Sequence, residues 1–257
     1  MTGIGLKRIA RAVLARLGLR PDHDSRFRGV FASYEQAMAS VRPGKHAGFD
    51  NDANATANFE LMCRLTVRDY PVLFWLQKLA PEIKCLIDAG GHMGTKYIAF
   101  RGHLSWLPSI KWVVYDVPAV IRAGRERAQA EGMTALSFID SLSAAPQADL
   151  VLASGLLQYI DISFCDLLRK LPSLPAHIIL NKVATRDGPG IVTLESRGSA
   201  EDPYQIRNRA EFEESLRALG YDIVDQWVIP ELSHVIPGHR ALGASTSRGY
   251  YARLRSR

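Results

Sequence analysis

The stretch Leu86 to Tyr97, LIDAGGHMGTKY, constrains the fold more than any other part of the chain. A short apolar run ends in an acid, Asp88. Gly90 and Gly91 follow, Gly94 comes after a two-residue gap, and a helix-compatible segment then begins. A strand that feeds a tight glycine turn and a helix is the unit from which parallel sheets are wound, with helices as crossovers.

The pattern repeats downstream. Short apolar runs at Cys85 to Asp88, Trp112 to Asp116, Leu136 to Ile139, Leu150 to Ala153 and Ile178 to Asn181 read as strands. Val117 to Glu131 and Ser163 to Leu171 suit crossover helices. This alternation predicts an α/β fold with a mostly parallel sheet covered on both faces. Near the end it breaks. Asn208 with Glu211 makes a capping-box start for the helix EFEESLRAL, Gly220 stops it, and the strand YDIVDQWVI, Tyr221 to Ile229, follows. A last strand, Gly249 to Leu254, comes after a long loop. Two strands in succession can pair antiparallel, so the expected sheet is Rossmann-like and seven-stranded with its last strand antiparallel.

Three regions are expected: residues 1–26 as a basic amphipathic helix and linker, 27–80 as a helical cap, and 81–257 as the sheet domain. In residues 4–19, Leu6, Ile9, Ala10, Val13 and Leu17 recur at helical spacing, with Lys7, Arg8 and Arg11 turned away. Two readings stay open for that helix: docking on its own domain, or peripheral contact with an anionic membrane surface. Gly18, Pro21 and Asp22 end it. Pro71 fits the first turn of a helix leading through VLFWLQKL toward the glycine turn.

The net charge of +6 is concentrated at the start: the first 30 residues carry seven basic side chains against two acids, so +5 lies there and +1 in the remainder. A nucleic-acid-binding surface on the main body is therefore not expected. Cys63, Cys85 and Cys165, odd in number and widely spaced, fit neither a disulfide framework nor a zinc site. No apolar run reaches the roughly 20 residues of a membrane-spanning helix, and no export signal is evident. The expected setting is cytoplasmic, with residues 4–19 as the candidate for contact with the inner face of the membrane, and no metal is expected.

In an open parallel sheet a ligand sits beyond the carboxyl ends of the strands, and glycines let the first turn approach it closely. Gly90, Gly91 and Gly94 fit that role, although their spacing is not G-x-G-x-x-G, and a strand-to-helix turn without a ligand is the plain alternative. Asp88 can orient the turn or attract a cation. Asp116, closing the second strand, can accept both hydroxyls of a ribose. Either acid alone reads equally as a solvated strand end; in this order the two specify a nucleoside pocket. An acid in front of the turn repels phosphate and suits the ammonium and sulfonium of S-adenosylmethionine (SAM).

The series DAGGHMG, WVVYDVP and ADLVLASGLLQYI resembles class I SAM-dependent methyltransferases, the aspartate and proline after the second strand being of O-methyltransferase style. More narrowly, FRGVFASYEQA, GFD at Gly48 to Asp50, YPVLFWL, SGLLQYI and LGYDIVDQW resemble a bacterial methyltransferase family associated with surface-polysaccharide biosynthesis, over most of the chain after Phe27. The resemblance implies that Asp88, Gly90, Gly91 and Gly94 line the methionine side, with His92 beside them, and that Asp116 and Val117 lie at the ribose. It implies Asp140 and Ser141 at the adenine, and Ser154, Gly155 and Gln158 bordering the methyl-transfer centre. His92 departs from the pattern, since many methyltransferases carry glycine there, and a side chain narrows the approach of backbone to ligand. Tyr159 has two readings, a cation–π partner of the sulfonium or a core aromatic.

Methyl transfer from a sulfonium is an in-line displacement governed by positioning, and a hydroxyl acceptor is helped by a base. The loop PELSHVIPGHRALGASTS is expected on the rim of the glycine turn, which makes Glu231, His234 and His239 the candidate catalytic residues; surface roles are the alternative. Asn181 to Tyr204, with Lys182, Arg186, Glu195, Arg197 and Asp202, is expected to form a polar loop able to cover substrate. The expected activity is SAM-dependent methylation of a hydroxyl on a small molecule or glycan intermediate. The rivals are a silent SAM-binding relative and an NAD(P)-dependent oxidoreductase, whose usual G-x-G-x-x-G and tyrosine–lysine signatures are not evident.

Overall fold

The structure is a computed structural model that describes residues 26–45, 48, 50, 56, 58–198 and 200–255. The amphipathic segment 4–19 lies outside the described residues.

The central sheet is built as the alternation predicts. Strands β2 (Cys85–Ala89), β3 (Lys111–Tyr115), β4 (Leu136–Ile139), β5 (Leu150–Ser154) and β6 (His177–Arg186) run parallel in the order β4-β3-β2-β5-β6. Beyond β6 comes β10 (Ala244–Leu254), antiparallel to β6 and to its outer neighbour β9 (Tyr221–Val235). Seven strands therefore form the expected sheet. The period-two alternation of β2 sends Leu86 to one face, with Trp112, Leu150 and Ile179, and Ile87 to the other, with Val113, Val151 and Ile178.

Helices cover both faces. Of those, α1 (Tyr34–Ala39) and α2 (Phe59–Met62) are short pieces from the N-terminal region. On the first face lie α3 (Tyr70–Leu79), which has Pro71 in its first turn, α4 (Thr95–Phe100) and α5 (Pro118–Ala130). On the second lie α6 (Phe164–Arg169) and α7 (Arg209–Ala218). Trp75 of α3 stacks on Tyr251 of β10 at 4.0 Å and donates its indole N–H to Asp225 Oδ2 at 2.8 Å, which fixes the cap helix to the sheet. The start of α7 has the N-cap half of the expected capping box, the Asn208 side chain accepting from the Glu211 amide at 3.0 Å.

Three features correct the sequence expectations. Among the described residues the sheet has ten strands, because β1 (Phe27–Phe31), β7 (Ile191–Arg197) and β8 (Ala200–Asn208) form an antiparallel extension joined to the end of β6 through Thr185–Arg207 and Arg186–Asn208 pairing. The region 27–80 is thus not wholly helical: FRGVF is a strand on β7. The second correction is that most of Asn181 to Tyr204 is strand and hairpin rather than loop. Its acids hid this. Glu195, Glu201 and Asp202 point into the protein, a pattern that breaks the apolar alternation of a strand. They are neutralised by arginines: Glu195 by Arg26, Glu201 by Arg28 and Arg42, and Asp202 by Arg197. The third concerns the tail, where β9 continues to Val235 and β10 starts at Ala244, leaving residues 236–243 as the connection. A four-residue excursion, Pro230 to Ser233 opposite Thr246 alone, disguises that continuity.

All three cysteines are free. Among the described residues no helix is long and apolar enough to cross a membrane, and no group of three or more His, Cys, Asp or Glu side chains could hold a metal ion.

Candidate active site

The carboxyl ends of four adjacent parallel strands bring the predicted binding residues to one rim. Asp88 is the penultimate residue of β2, Asp116 and Val117 follow β3, Asp140 and Ser141 follow β4, and Ser154 closes β5 with Gly155 and Gln158 after it.

The glycine turn is held by its neighbours on both sides. The Gly90 amide donates to Tyr115 O at 2.8 Å and the His92 amide to Asp116 Oδ2 at 2.8 Å; the other Asp116 oxygen accepts from the Val117 amide at 2.8 Å. Asp116 therefore ties the turn to the start of α5 while each oxygen keeps a second lone pair for a ligand hydroxyl. Gly90 and Gly94 have φ of +71° and +79°, which glycine adopts without strain. Gly91 is required for another reason: a Cβ there would lie 2.6 Å from the Asp88 carboxylate. His92 also takes a left-handed φ, +55°, and its ring faces Phe59 at 6.4 Å between centroids. Burial holds its imidazole below the usual histidine range.

Asp88 is fully buried and accepts from Trp112 Nε1 at 3.2 Å. Burial pushes its carboxyl up to about 7, against the Trp112 hydrogen bond and the positive charge of Lys96. A second layer of charge stands close by, most of it without a local sequence signal. Lys96 pairs with Asp69 at 2.6 Å, and Asp69 also accepts from Thr66 Oγ1 at 2.8 Å. Asn181 donates to Arg68 O and accepts from Trp227 Nε1, both at 3.1 Å, and its carbonyl receives the Gly155 amide at 2.9 Å. Lys182 follows at φ +62°, next to Gly155 and Gln158. Burial lowers its ammonium to about 8, with Lys96 pushing the same way and Asp69 opposing.

The turn after β5, Leu157 to Tyr159, is clamped from the β7–β8 extension. Arg207 Nη1 donates to Leu157 O at 2.6 Å, Gln205 Nε2 to Ile160 O at 2.7 Å, and Tyr34 Oη of α1 to Tyr159 O at 3.1 Å. Tyr159 Oη donates to the buried Glu195 at 2.6 Å, and the Arg197 guanidinium lies 5.5 Å from its ring centroid. The core reading of Tyr159 matches these contacts.

The three candidate catalytic residues share the same rim, since β9 is parallel to the central strands, but they are not together. Glu231, on the excursion in β9, lies 3.6 Å from Arg68 Nε. His234 packs on Phe27 at 4.7 Å between centroids, and burial followed by Arg26 lowers its pKa. His239 is exposed and precedes the short turn Arg240–Leu242. Among the described residues, no hydrogen bond or ion pair joins either histidine to the glycine turn.

Among the described residues, three buried polar atoms around this rim have no hydrogen-bond partner: His92 Nδ1, Ser154 Oγ and Gln158 Oε1. Buried polar groups are ordinarily satisfied, so a cluster of unsatisfied ones beside a glycine cradle fits a polar ligand.

In structure the chain resembles 1,6-didemethyltoxoflavin-N1-methyltransferase of Burkholderia thailandensis, solved with 1,6-didemethyltoxoflavin and S-adenosylhomocysteine (SAH), with a TM-score of 0.53 and 16% identity over 91% of this chain and 98% of that one. It resembles the N-terminal domain of EvdMO1 with SAH bound (TM-score 0.50, 15% identity, 74% of this chain and 83% of that one). A third likeness is to human N-acetylserotonin methyltransferase in complex with SAM (0.50, 14% identity, 81% and 58%). No family model matches the chain, and no curated protein matches it in sequence. The chain thus has the α/β, Rossmann-like fold of SAM-dependent methyltransferases.

Proposed function

We propose that this protein is a SAM-dependent methyltransferase that transfers the methyl group to a hydroxyl of a small molecule or glycan intermediate. The observation that carries the cofactor is the Asp88-guarded glycine turn with unpartnered His92 Nδ1, Ser154 Oγ and Gln158 Oε1 around it. Asp88, Gly90, Gly91, His92 and Gly94 hold the methionine moiety, Asp116 and Val117 the ribose, and Asp140 with Ser141 the adenine. Ser154, Gly155 and Gln158 border the transferred methyl. The buried carboxylate of Asp88 favours a cationic guest, because a charge in a low-dielectric site is best compensated by an opposite one. SAM supplies an activated methyl on a sulfonium, and the chain's contribution is to align the acceptor with it.

The hydroxyl preference and the glycan class rest on the resemblance of the WVVYDVP and SGLLQYI segments noted above. Glu231, His234 and His239 remain the candidates proposed to meet the acceptor. The structural relatives act on varied substrates, N-methylation among them, so acceptor atom and cofactor need separate tests.

Isothermal titration with SAM, SAH and NAD tests the cofactor: micromolar binding of the two adenosyl ligands and none of NAD is expected, and affinity for NAD alone would refute it. Incubation with labelled SAM and pools of nucleotide sugars or lipid-linked glycans tests the acceptor, label in an alkali-stable ether being the expected product. For the proposed membrane contact of residues 4–19, flotation with anionic liposomes is compared between the intact chain and one starting at Phe27, and equal behaviour removes it.

A further inference from the structure

Strand β6 is irregular where it reaches the rim. Val183 pairs with Arg248 and Leu180 with Tyr250, so two residues, Asn181 and Lys182, stand opposite Gly249 alone. This is a β-bulge, a device that re-aims a side chain and recurs beside active sites. Lys182 carries the left-handed φ of +62° that the bulge demands, a conformation a non-glycine residue holds only when its surroundings impose it. Those surroundings are visible: the side chain of Asn181 is pinned between Trp227 and Arg68, and its carbonyl holds Gly155.

The bulge sends Lys182 across the methyl side of the rim. Its Cδ lies 3.6 Å from where a Cβ on Gly155 would be, and the Gln158 amide nitrogen is 3.7 Å from the same point. The charged groups facing Lys182 are Lys96, Asp69, Arg68 and Asp88. Asp69 is already committed to Lys96 at 2.6 Å. The side chain is half-buried, and among the described residues the Lys182 ammonium makes neither a hydrogen bond nor an ion pair, which leaves it available to a ligand.

We propose that Lys182 is the group that takes the proton from the methyl acceptor. The proposal rests on the cofactor reading given above. In the transfer, the acceptor oxygen forms a bond to the methyl carbon as the carbon–sulfur bond breaks, its electron pair staying on sulfur to give the neutral thioether. The acceptor proton moves to the neutral amine of Lys182, which becomes an ammonium and then returns the proton to solvent. Charge is conserved: one positive charge passes from sulfonium to ammonium.

The depressed pKa of about 8 supports this, since an amine neutral for part of the time near neutral pH can accept a proton. SAM also prepares its own base. A sulfonium beside Lys182 disfavours the ammonium and expels a proton, whereas the uncharged sulfur of SAH does not.

That difference can be measured without knowing the acceptor. Binding of SAM and of SAH is titrated calorimetrically at pH 8 in buffers of different ionisation enthalpy, which counts the protons released. Wild type should release a few tenths of a proton more with SAM than with SAH. In Lys182→Met the excess should vanish while both ligands still bind. Lys182→Arg, which keeps a positive charge that cannot be shed at this pH, should also show none and should bind SAM at least several-fold more weakly relative to SAH than Lys182→Met does. Equal proton counts for the two ligands in wild type would overturn the proposal, as would an excess that survives in Lys182→Met, which would assign it to Asp88. Failure of both ligands to bind wild type would sink the cofactor reading and this proposal with it, a result distinct from binding without differential release, which sinks this proposal alone.

Discussion

The His92 amide donates to the Asp116 carboxylate at 2.8 Å, so the residue of the glycine turn that most needs a reason for its left-handed backbone is fixed by the acid that ends the next strand. The other Asp116 oxygen holds the Val117 amide. In Asp116→Asn only one of the two positions can accept, and one buried amide loses its partner. The expected loss is about 1–3 kcal/mol of unfolding free energy in urea, with SAM bound roughly tenfold more weakly through loss of the proposed ribose contact. His92→Gly should be tolerated, since relief of about 1 kcal/mol of left-handed strain offsets the lost packing on Phe59. Unchanged stability and affinity in Asp116→Asn would remove Asp116 from both roles.

Asp88 gives a pH dependence whose sign can be worked out. Its folded pKa, raised to about 7 by burial, lies above the value of about 4 expected in the unfolded chain. Between those values the folded state holds the extra proton. The stability this contributes is therefore fully present below about pH 4, declines as pH rises, and is gone above about 7. Asp88→Asn lacks the decline, so between pH 5 and pH 8 the wild type should lose about 2–3 kcal/mol relative to it. Binding runs the other way, because a cationic ligand favours the ionised carboxylate: SAM affinity should rise from pH 6 to pH 8 in wild type, and Asp88→Asn should bind at least tenfold more weakly at pH 8. A SAM affinity indifferent to pH in that range would contradict the role given to Asp88.

Gly249 supports the site from behind. A Cβ at this position would stand 1.9 Å from Trp227 Cε2, and the indole cannot swing away without leaving Asn181 Oδ1. Gly249→Ala should therefore lower stability by about 3 kcal/mol, at the upper end for overpacking, and disturb the bulge opposite it. Gly102→Ala is the control: nothing lies within 4 Å of its Cβ, and a change within about 0.5 kcal/mol is expected. Thermal unfolding of the two variants side by side decides the matter.

The parallel sheet was legible because its code is local: apolar runs near β2 to β5 alternate with helix-compatible segments, and the acid–glycine order marks the rim where a ligand is expected. The extension β1, β7 and β8 was not, because its stability comes from pairs distant in sequence. Glu195 reads as a surface residue until Arg26, 169 positions away, is brought beside it. Lys182 was legible only as part of a polar segment. Its bulge is defined by the register with Gly249 and its inward position by Asn181, both products of tertiary pairing. Likewise strand direction puts His234 and Glu231 at the same end of the sheet as the glycine turn, while their separate partners, Phe27 and Arg68, come from remote segments.

The extension in turn fixes the turn after β5, which is proposed to border the transferred methyl. Arg207 and Gln205 of β8 each donate to a carbonyl of that turn or its exit, Leu157 and Ile160, at 2.6 and 2.7 Å. These carbonyls lie on a short 3-10 turn that cannot satisfy them itself. Removing both donors in Arg207→Met with Gln205→Ala should leave the parallel sheet intact, because β8 keeps its pairing with β7, and should free the turn to open. Hydrogen exchange over residues 156–162 is expected to quicken by about tenfold for each lost bond of about 1.4 kcal/mol, with exchange in β2 and β3 unchanged. SAM affinity should fall less than methyl transfer if, as proposed, Gln158 borders the methyl while Asp116 holds the nucleoside. Exchange as slow as in wild type would show that the turn holds its shape without the extension.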